Sequence, residues 1–455
     1  MMAEQQTAVK DRALMVGFYE SDITPPLGCS IPGYFNQRLG SDVKDRLYAK
    51  ALVVQNESGI AAILAVDSCG VTRESCDAIC AKITEYTGIP SDRVMISSTH
   101  THTGGPTQIK DEILIFETHN PRDDIYLEMV RQLAADAVIL AYQRMREATA
   151  AFGSGEVKGI SFVRNYVMKN GTVKTNPGRL NPDIVKPYSD IDPALPVLCF
   201  FDGDKPLGAL WCFACHQDCV DGTEYSGDYS SIVAKELKKQ YGEDFVSVYV
   251  PGTCGNINHF DVSRAGDAPD HYAMMGRTIA KEAVAVISKA ERCNLDAIAV
   301  EKKEIVMKKR MPTAEERAKA EHIVETVKME EGVKLDASSP GEQFELAMSK
   351  RIMTYLQIKE REYSVTVQVV RLGDCAVYAF PFEIFCQFGE MVKKNSPTDK
   401  NIIGTLCNGH TGYIPVKELF MPTVYESRLG TSSFLEPEAG YEIADSLTEI
   451  AKKLF

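Results

Sequence analysis

The chain has 455 residues, of which 44% are apolar and 25% charged, with a formal net charge of −13. That balance belongs to a folded, water-soluble protein with ample core, and no run approaches the roughly 20 apolar residues a bilayer span requires. The negative charge would repel polyanions and argues against nucleic acid as a partner.

Met1 to Arg12 is polar and lacks the apolar centre of a signal peptide, so a cytoplasmic location without a stable membrane anchor is expected. The 13 cysteines are odd in number and scattered through apolar runs, which fits reduced core thiols. A small-molecule partner is expected, and the composition leaves room for a homo-oligomer.

Residues 13 to 24 read as an opening strand, stopped by Asp22-Ile23-Thr24-Pro25-Pro26. Ala51 to Val54 and Ile60 to Val66 are strand-like runs around a turn at Asn56 to Gly59, and Glu74 to Tyr86 has helical spacing that closes at Gly88. Val94-Met95-Ile96 is a further strand. Strand, helix, strand in succession predicts an α/β fold with a layered mixed sheet and flanking helices.

A long helix is expected from about Asp124 to Arg146, then strands near Thr149 to Phe152 and Ile160 to Val163. Lys169 to Pro196, rich in Gly and Pro, reads as one long loop. Leu207 to His216 is strand-like and ends in Cys212-Phe213-Ala214-Cys215-His216. That spacing matches covalent haem attachment, and with Cys219 a zinc knuckle. The first needs an exported chain and the second another Cys pair, so packed cysteines and a strand-end histidine fit better.

A helix opens at Tyr225-Ser226-Gly227-Asp228-Tyr229, with Asp228 at its positive end. Val246 to Val250 is a strand running into the turn Gly255-Asn256-Ile257-Asn258-His259. Residues 310–362 read as an inserted helical hairpin, its Lys/Glu-rich surface a solvated face. Strands return at Ser364 to Arg371, Ala376 to Phe380 and near Asn401 to Leu406, and a helix from about Ala439 closes the chain.

The stretch most charged with chemistry is Thr99-His100-Thr101-His102-Thr103-Gly104-Gly105. In an extended backbone residues i and i+2 face the same way, so both imidazoles can converge beyond a sheet edge. His216, Glu383 and Tyr413 also follow strands. Two imidazoles and a carboxylate with a position left open is the ligand set of catalytic zinc. The plainer alternatives are solvated loop histidines, a helix-end carboxylate and packing aromatics.

Taken together the anchors resemble the catalytic domain of the neutral/alkaline non-lysosomal ceramidase family. The likeness runs from Asp22-Ile23-Thr24 and Pro32-Gly33-Tyr34 through Asp45-Arg46-Leu47-Tyr48 and is sharpest at Thr99-His100-Thr101-His102. The resemblance implies one domain over 13–455, zinc held by His100, His216, Glu383 and Tyr413, and His102, Arg164 and Tyr425 in catalysis. Asp228, Asn256, Asn258, His259 and His410 are expected to contact substrate. His119, His271 and His322 read as ordinary surface or core residues.

The family's Gly-Asp-Val-Ser-Pro stretch is replaced here by Gly255-Asn256-Ile257-Asn258-His259, and no immunoglobulin-like C-terminal domain is expected. The resemblance therefore implies a zinc-dependent hydrolase of an amide or related carbonyl bond with a more polar substrate than ceramide. A zinc-dependent isomerase, epimerase or lyase acting on a sugar-like compound is the alternative, since a Lewis acid also assists enolisation. A metal-dependent binding protein without turnover is a third.

Overall fold

Runs of β-branched and apolar residues buried on both faces build three mixed sheets whose inner sides share one core. The computed structural model describes residues 13–107, 119–330, 333, 335, 341–409, 412–429 and 433–455. The first sheet has the order Val94–Ser98, Gly59–Val66, Tyr48–Asn56, Met15–Asp22, Arg146–Glu147. The second runs Val246–Pro251, Lys205–Phe213, Ala194–Asp202, Thr149–Glu156, Glu291–Cys293. The third runs Ile298–Lys308, Glu362–Leu372, Cys375–Ala379, Lys400–Gly404.

Alternation along each strand explains the layering. Leu52 and Val54 point into the shared centre with Leu198, Phe200, Leu210, Val370 and Val377, while Ala51 and Val53 face outward onto helices. Helices Arg73–Thr87 and Pro121–Gln143 cover the first sheet, Asp228–Tyr241 and His271–Lys289 the second, Cys386–Asn395 and Ala439–Leu454 the third. The fold is α/β, as expected. Leu52 is fully buried where the sheets meet, and truncating it to Ala would cost about 2–5 kcal/mol through the cavity left behind.

One feature of the topology positions the chemistry. Each sheet is antiparallel except for a single parallel pair: Gly59–Val66 with Val94–Ser98, Lys205–Phe213 with Val246–Pro251, and Cys375–Ala379 with Lys400–Gly404. A parallel pair brings two carboxyl ends side by side, where open α/β sheets place ligands. His100, His216, Glu383 and Tyr413 all follow such ends.

Several boundaries differ from expectation. The long helix spans Pro121–Gln143, because Asn120 caps it by accepting from the Arg122 amide at 3.3 Å and Pro121 takes the first helical position, where its missing N–H is not needed. Arg146–Glu147 is instead a short strand on Met15–Val16. The Lys169 to Pro196 segment is not structureless: Val173–Thr175 and Ile184–Pro187 flank Asn165–Met168 in a small sheet, with Asn170-Gly171 forming the hairpin turn between Asn165–Met168 and Val173–Thr175. Gly171, at φ 83°, supplies the left-handed residue that turn needs. Helix His271–Lys289 and strand Ile298–Lys308 had no counterpart in the sequence reading.

Helices Ala314–Thr326 and Glu342–Leu356 lie between the paired strands Ile298–Lys308 and Glu362–Leu372. A capping box of Thr313 and Glu316 starts the first. Phe344 of the second packs edge-on to Phe35, with ring centroids 5.3 Å apart, which brings this helix over the sheet ends. Among the described residues no helix is long and apolar enough to cross a membrane.

Candidate metal centre

His100 leaves its strand in the left-handed region, at φ 68°, with its amide bonded to the Ser68 carbonyl at 2.9 Å. A non-glycine residue held there is strained, and such strain collects at functional sites. The turn aims His100 Nε2 at Glu383 Oε2, 3.2 Å away, and His216 Nε2 approaches the same oxygen at 3.0 Å. The two imidazole centroids are 4.7 Å apart. The ligand atoms of His100, His216 and Glu383 lie within 4.8 Å of one another, close enough to share one ion.

Both rings are oriented from behind. His100 Nδ1 bonds the Cys69 carbonyl at 2.7 Å, and His216 Nδ1 faces the carbonyls of Cys254 and Ile257 at 2.8 and 3.0 Å. A carbonyl on Nδ1 fixes the tautomer that leaves Nε2 free to ligate, the usual support of a metal-bound histidine. Glu383 and Tyr413 pair in register on the short parallel strands Glu383–Ile384 and Tyr413–Ile414. Tyr413 Oη reaches to 3.4 Å from His216 Nε2. Gly255 permits this approach, since a Cβ there would lie 2.3 Å from the Glu383 carbonyl oxygen.

The electrostatics suit a cation. Burial would raise the Glu383 carboxyl, but His100 and His216 outweigh it and hold the group well below the ordinary carboxylate range. Burial and Arg164 work against a charge on His216, yet Cys254 and Glu383 push it up to about 9. A divalent ion can take the place of those protons, so the residues present fit a metal.

His102 also points inward, its Nε2 3.4 Å from His100 Nε2, with Tyr34 edge-on at 5.3 Å. Burial and then His100 push its pKa well below the usual histidine value, which keeps it a neutral base. Arg38 bonds its carbonyl at 2.6 Å. Gly33, at φ 117°, is the close neighbour of this ring: a Cβ there would meet His102 Cγ at 3.0 Å.

Arg164 is buried beside the centre, its guanidinium 5.0 Å over the Tyr413 ring. It donates to Glu426 Oε1 and to the Gly255 carbonyl, both at 2.6 Å. Glu426 is completely buried and also accepts from Asn165 and Thr175. Tyr425 packs on Tyr413 with centroids 5.6 Å apart. Asp228 accepts the amides of Val220 and Tyr229, at 3.0 and 2.5 Å, from a left-handed backbone at φ 55°. Its carboxylate thus holds the loop that follows His216.

The backbone of the 255–259 turn supports His216 and Arg164, but the side chains of Asn256, Asn258 and His259 are engaged elsewhere. Asn256 accepts the Cys386 amide at 2.9 Å, tying down the start of helix Cys386–Asn395. Asn258 donates to Asn176 and accepts the Phe260 amide, each at 3.1 Å. His259 faces Asp218 and Asp267 at 3.7 and 3.9 Å. His410 lies outside the described residues. Glu426, the Cys69 and Cys254 carbonyls and Asp218 carried no signal in the sequence, although Glu426 adjoins the expected Tyr425.

Strand ends of an α/β scaffold thus bring together two imidazoles and a carboxylate that could hold a metal ion, with a phenol beside them. Residues 14–331 match the family described as neutral/alkaline non-lysosomal ceramidase, N-terminal. The chain belongs to that family, and with it to the hydrolases acting on amide bonds. Similar solved structures include the neutral ceramidase from Pseudomonas aeruginosa, at 17% identity and TM-score 0.72, covering 98% of this chain and 75% of that one. A ceramidase complexed with C2 is similar at 16% identity and TM-score 0.73, with the same coverage. A search of curated proteins finds no match.

Proposed function

We propose that the protein is a zinc-dependent hydrolase that cleaves the amide of a small, polar N-acyl compound. The observation that carries this reading is the convergence of His100, His216 and Glu383 within 4.8 Å, with both Nδ1 atoms occupied by backbone carbonyls. Tyr413 is the fourth ligand in this reading. Bound there, zinc would activate water near neutral pH and polarise the scissile carbonyl.

The chain's own groups have separable tasks. His102, neutral and aimed inward, takes a proton and passes it to the leaving amine. Tyr425 lends its hydroxyl to the developing oxyanion. Arg164 acts through Tyr413 and is a positioning residue, since Glu426 and Gly255 occupy its donors.

A polar substrate is favoured by helix Glu342–Leu356. Its Arg351 lies 5.3 Å over the Phe35 ring, and Phe35 is 6.2 Å from Tyr425. Burial pulls the Arg351 pKa down and only Tyr425 opposes it. No described carboxylate pairs with this guanidinium. A carboxylate or phosphate on the substrate would supply its missing partner.

The isomerase alternative leaned on the carboxamides of Asn256 and Asn258, whose polar atoms are engaged by Cys386, Asn176 and Phe260, so it has no separate support. The thirteen free thiols suit a reducing, cytoplasmic setting. The test is incubation of the full chain with N-acyl amino acids, neutral N-acyl amines and sugars, with and without chelator. Chelator-sensitive release of carboxylate and amine, fastest for anionic amides, is expected. Mass-neutral conversion of a sugar would overturn the reading.

A further inference from the structure

A second cluster of metal-ligating side chains lies against the first. His259 is 4% exposed, yet neither of its ring nitrogens has a hydrogen-bond partner, and the same holds for His271 Nε2 and Asp218 Oδ1, all buried atoms. The two imidazole centroids are 4.9 Å apart. Ligand atoms of Cys219, His259 and His271 lie within 4.8 Å of one another, and Asp218 Oδ1 is 3.7 Å from His259 Nε2.

Buried nitrogens left without partners are costly, so several in one place call for a ligand. Neighbouring groups do not fill the need. Asp267, 3.9 Å from His259 Nδ1, is engaged by Arg179. The Cys219 thiol lies 3.4 Å from Met275 Sδ and interacts with Asp228.

We propose that Cys219, His259 and His271, with Asp218 as fourth ligand, form a second divalent-metal site of the zinc type. One thiolate, two imidazoles and a carboxylate suit a borderline ion such as Zn²⁺ over Mg²⁺ or Ca²⁺. Bound there, the ion would join three elements: the segment leaving His216, the turn after Ile257–Asn258 and the first turn of helix His271–Lys289. Asp218 and Cys219 sit two and three residues beyond His216, so the second ion would brace a ligand of the first centre.

Cobalt substitution separates the two centres, because only the second contains a cysteine ligand and thiolate coordinated to Co²⁺ gives a strong near-ultraviolet charge-transfer band. Metal-free wild-type protein titrated with Co²⁺ should take two equivalents and develop that band. Cys219→Ser and His259→Ala should take one equivalent without it. Glu383→Gln should lose an equivalent and keep the band, which distinguishes failure of this site from failure of the catalytic one. The proposal is overturned if wild-type protein binds a single equivalent without a thiolate band, or if the band survives Cys219→Ser and vanishes in Cys69→Ser.

Discussion

Glu383 and Tyr413 sit opposite each other on two short parallel strands, and this single backbone pairing delivers a carboxylate and a phenol to the same ring nitrogen, Nε2, of His216. Two side chains thirty residues apart in sequence therefore share one backbone support.

Removing ligands should separate binding from folding. Asn tolerates the left-handed backbone that His100 occupies at φ 68°. His100→Asn should lose the catalytic metal while its melting temperature stays within a few degrees of the wild-type apoprotein, as measured by metal analysis and calorimetry.

His102 lies beside the centre without belonging to the ligand set. His102→Ala should keep the catalytic metal and lose about 10²–10⁴-fold in kcat. Gly33→Ala should reproduce part of that loss, because its Cβ would displace the His102 ring while leaving His100 and His216 in place. Metal content and kcat measured on the same preparations check both.

The buried ion pair of Arg164 and Glu426 should be costly to halve. Glu426→Ala strands the guanidinium and should destabilise the protein by about 3–5 kcal/mol. Arg164→Met with Glu426→Leu should recover much of that loss, read from denaturant midpoints.

The metal-free protein should respond to alkali. His216 rises from an ordinary 6.5 to about 9 in the fold, opposed by burial and Arg164 and raised by Cys254 and Glu383. A histidine whose pKa is raised by folding stabilises fully below its unfolded pKa, and that stabilisation fades as pH climbs through the folded one. Roughly 3 kcal/mol should be lost between pH 6.5 and 9 in the apoprotein. Metal-loaded protein should lose far less over the same range, as urea titrations at several pH values would measure.

How much of this was legible follows the range of the interactions. The strands and the His100/His102 pair could be read because period-two alternation is local, and the expected helices near 74–86 and 225–241 rested on equally local spacing. Glu383 and Tyr413 could be placed after strands, but their assignment as ligands came through family likeness, since nothing local marks a buried carboxylate as a ligand. Glu426 was invisible because its partner Arg164 is 262 residues away and meets it through topology alone. The hairpin inside Lys169 to Pro196 was missed because its Gly and Pro residues mark turns equally well in a loop or between short strands.

The central claim is that four side chains gather around one divalent ion. Anomalous diffraction from crystals of the zinc-loaded protein, collected on both sides of the zinc edge, tests it most directly. A peak about 2 Å from His100 Nε2, His216 Nε2, Glu383 Oε2 and Tyr413 Oη is predicted. Zinc-loaded crystals with no peak between those atoms, from protein that hydrolyses amides undiminished in chelator, would contradict it.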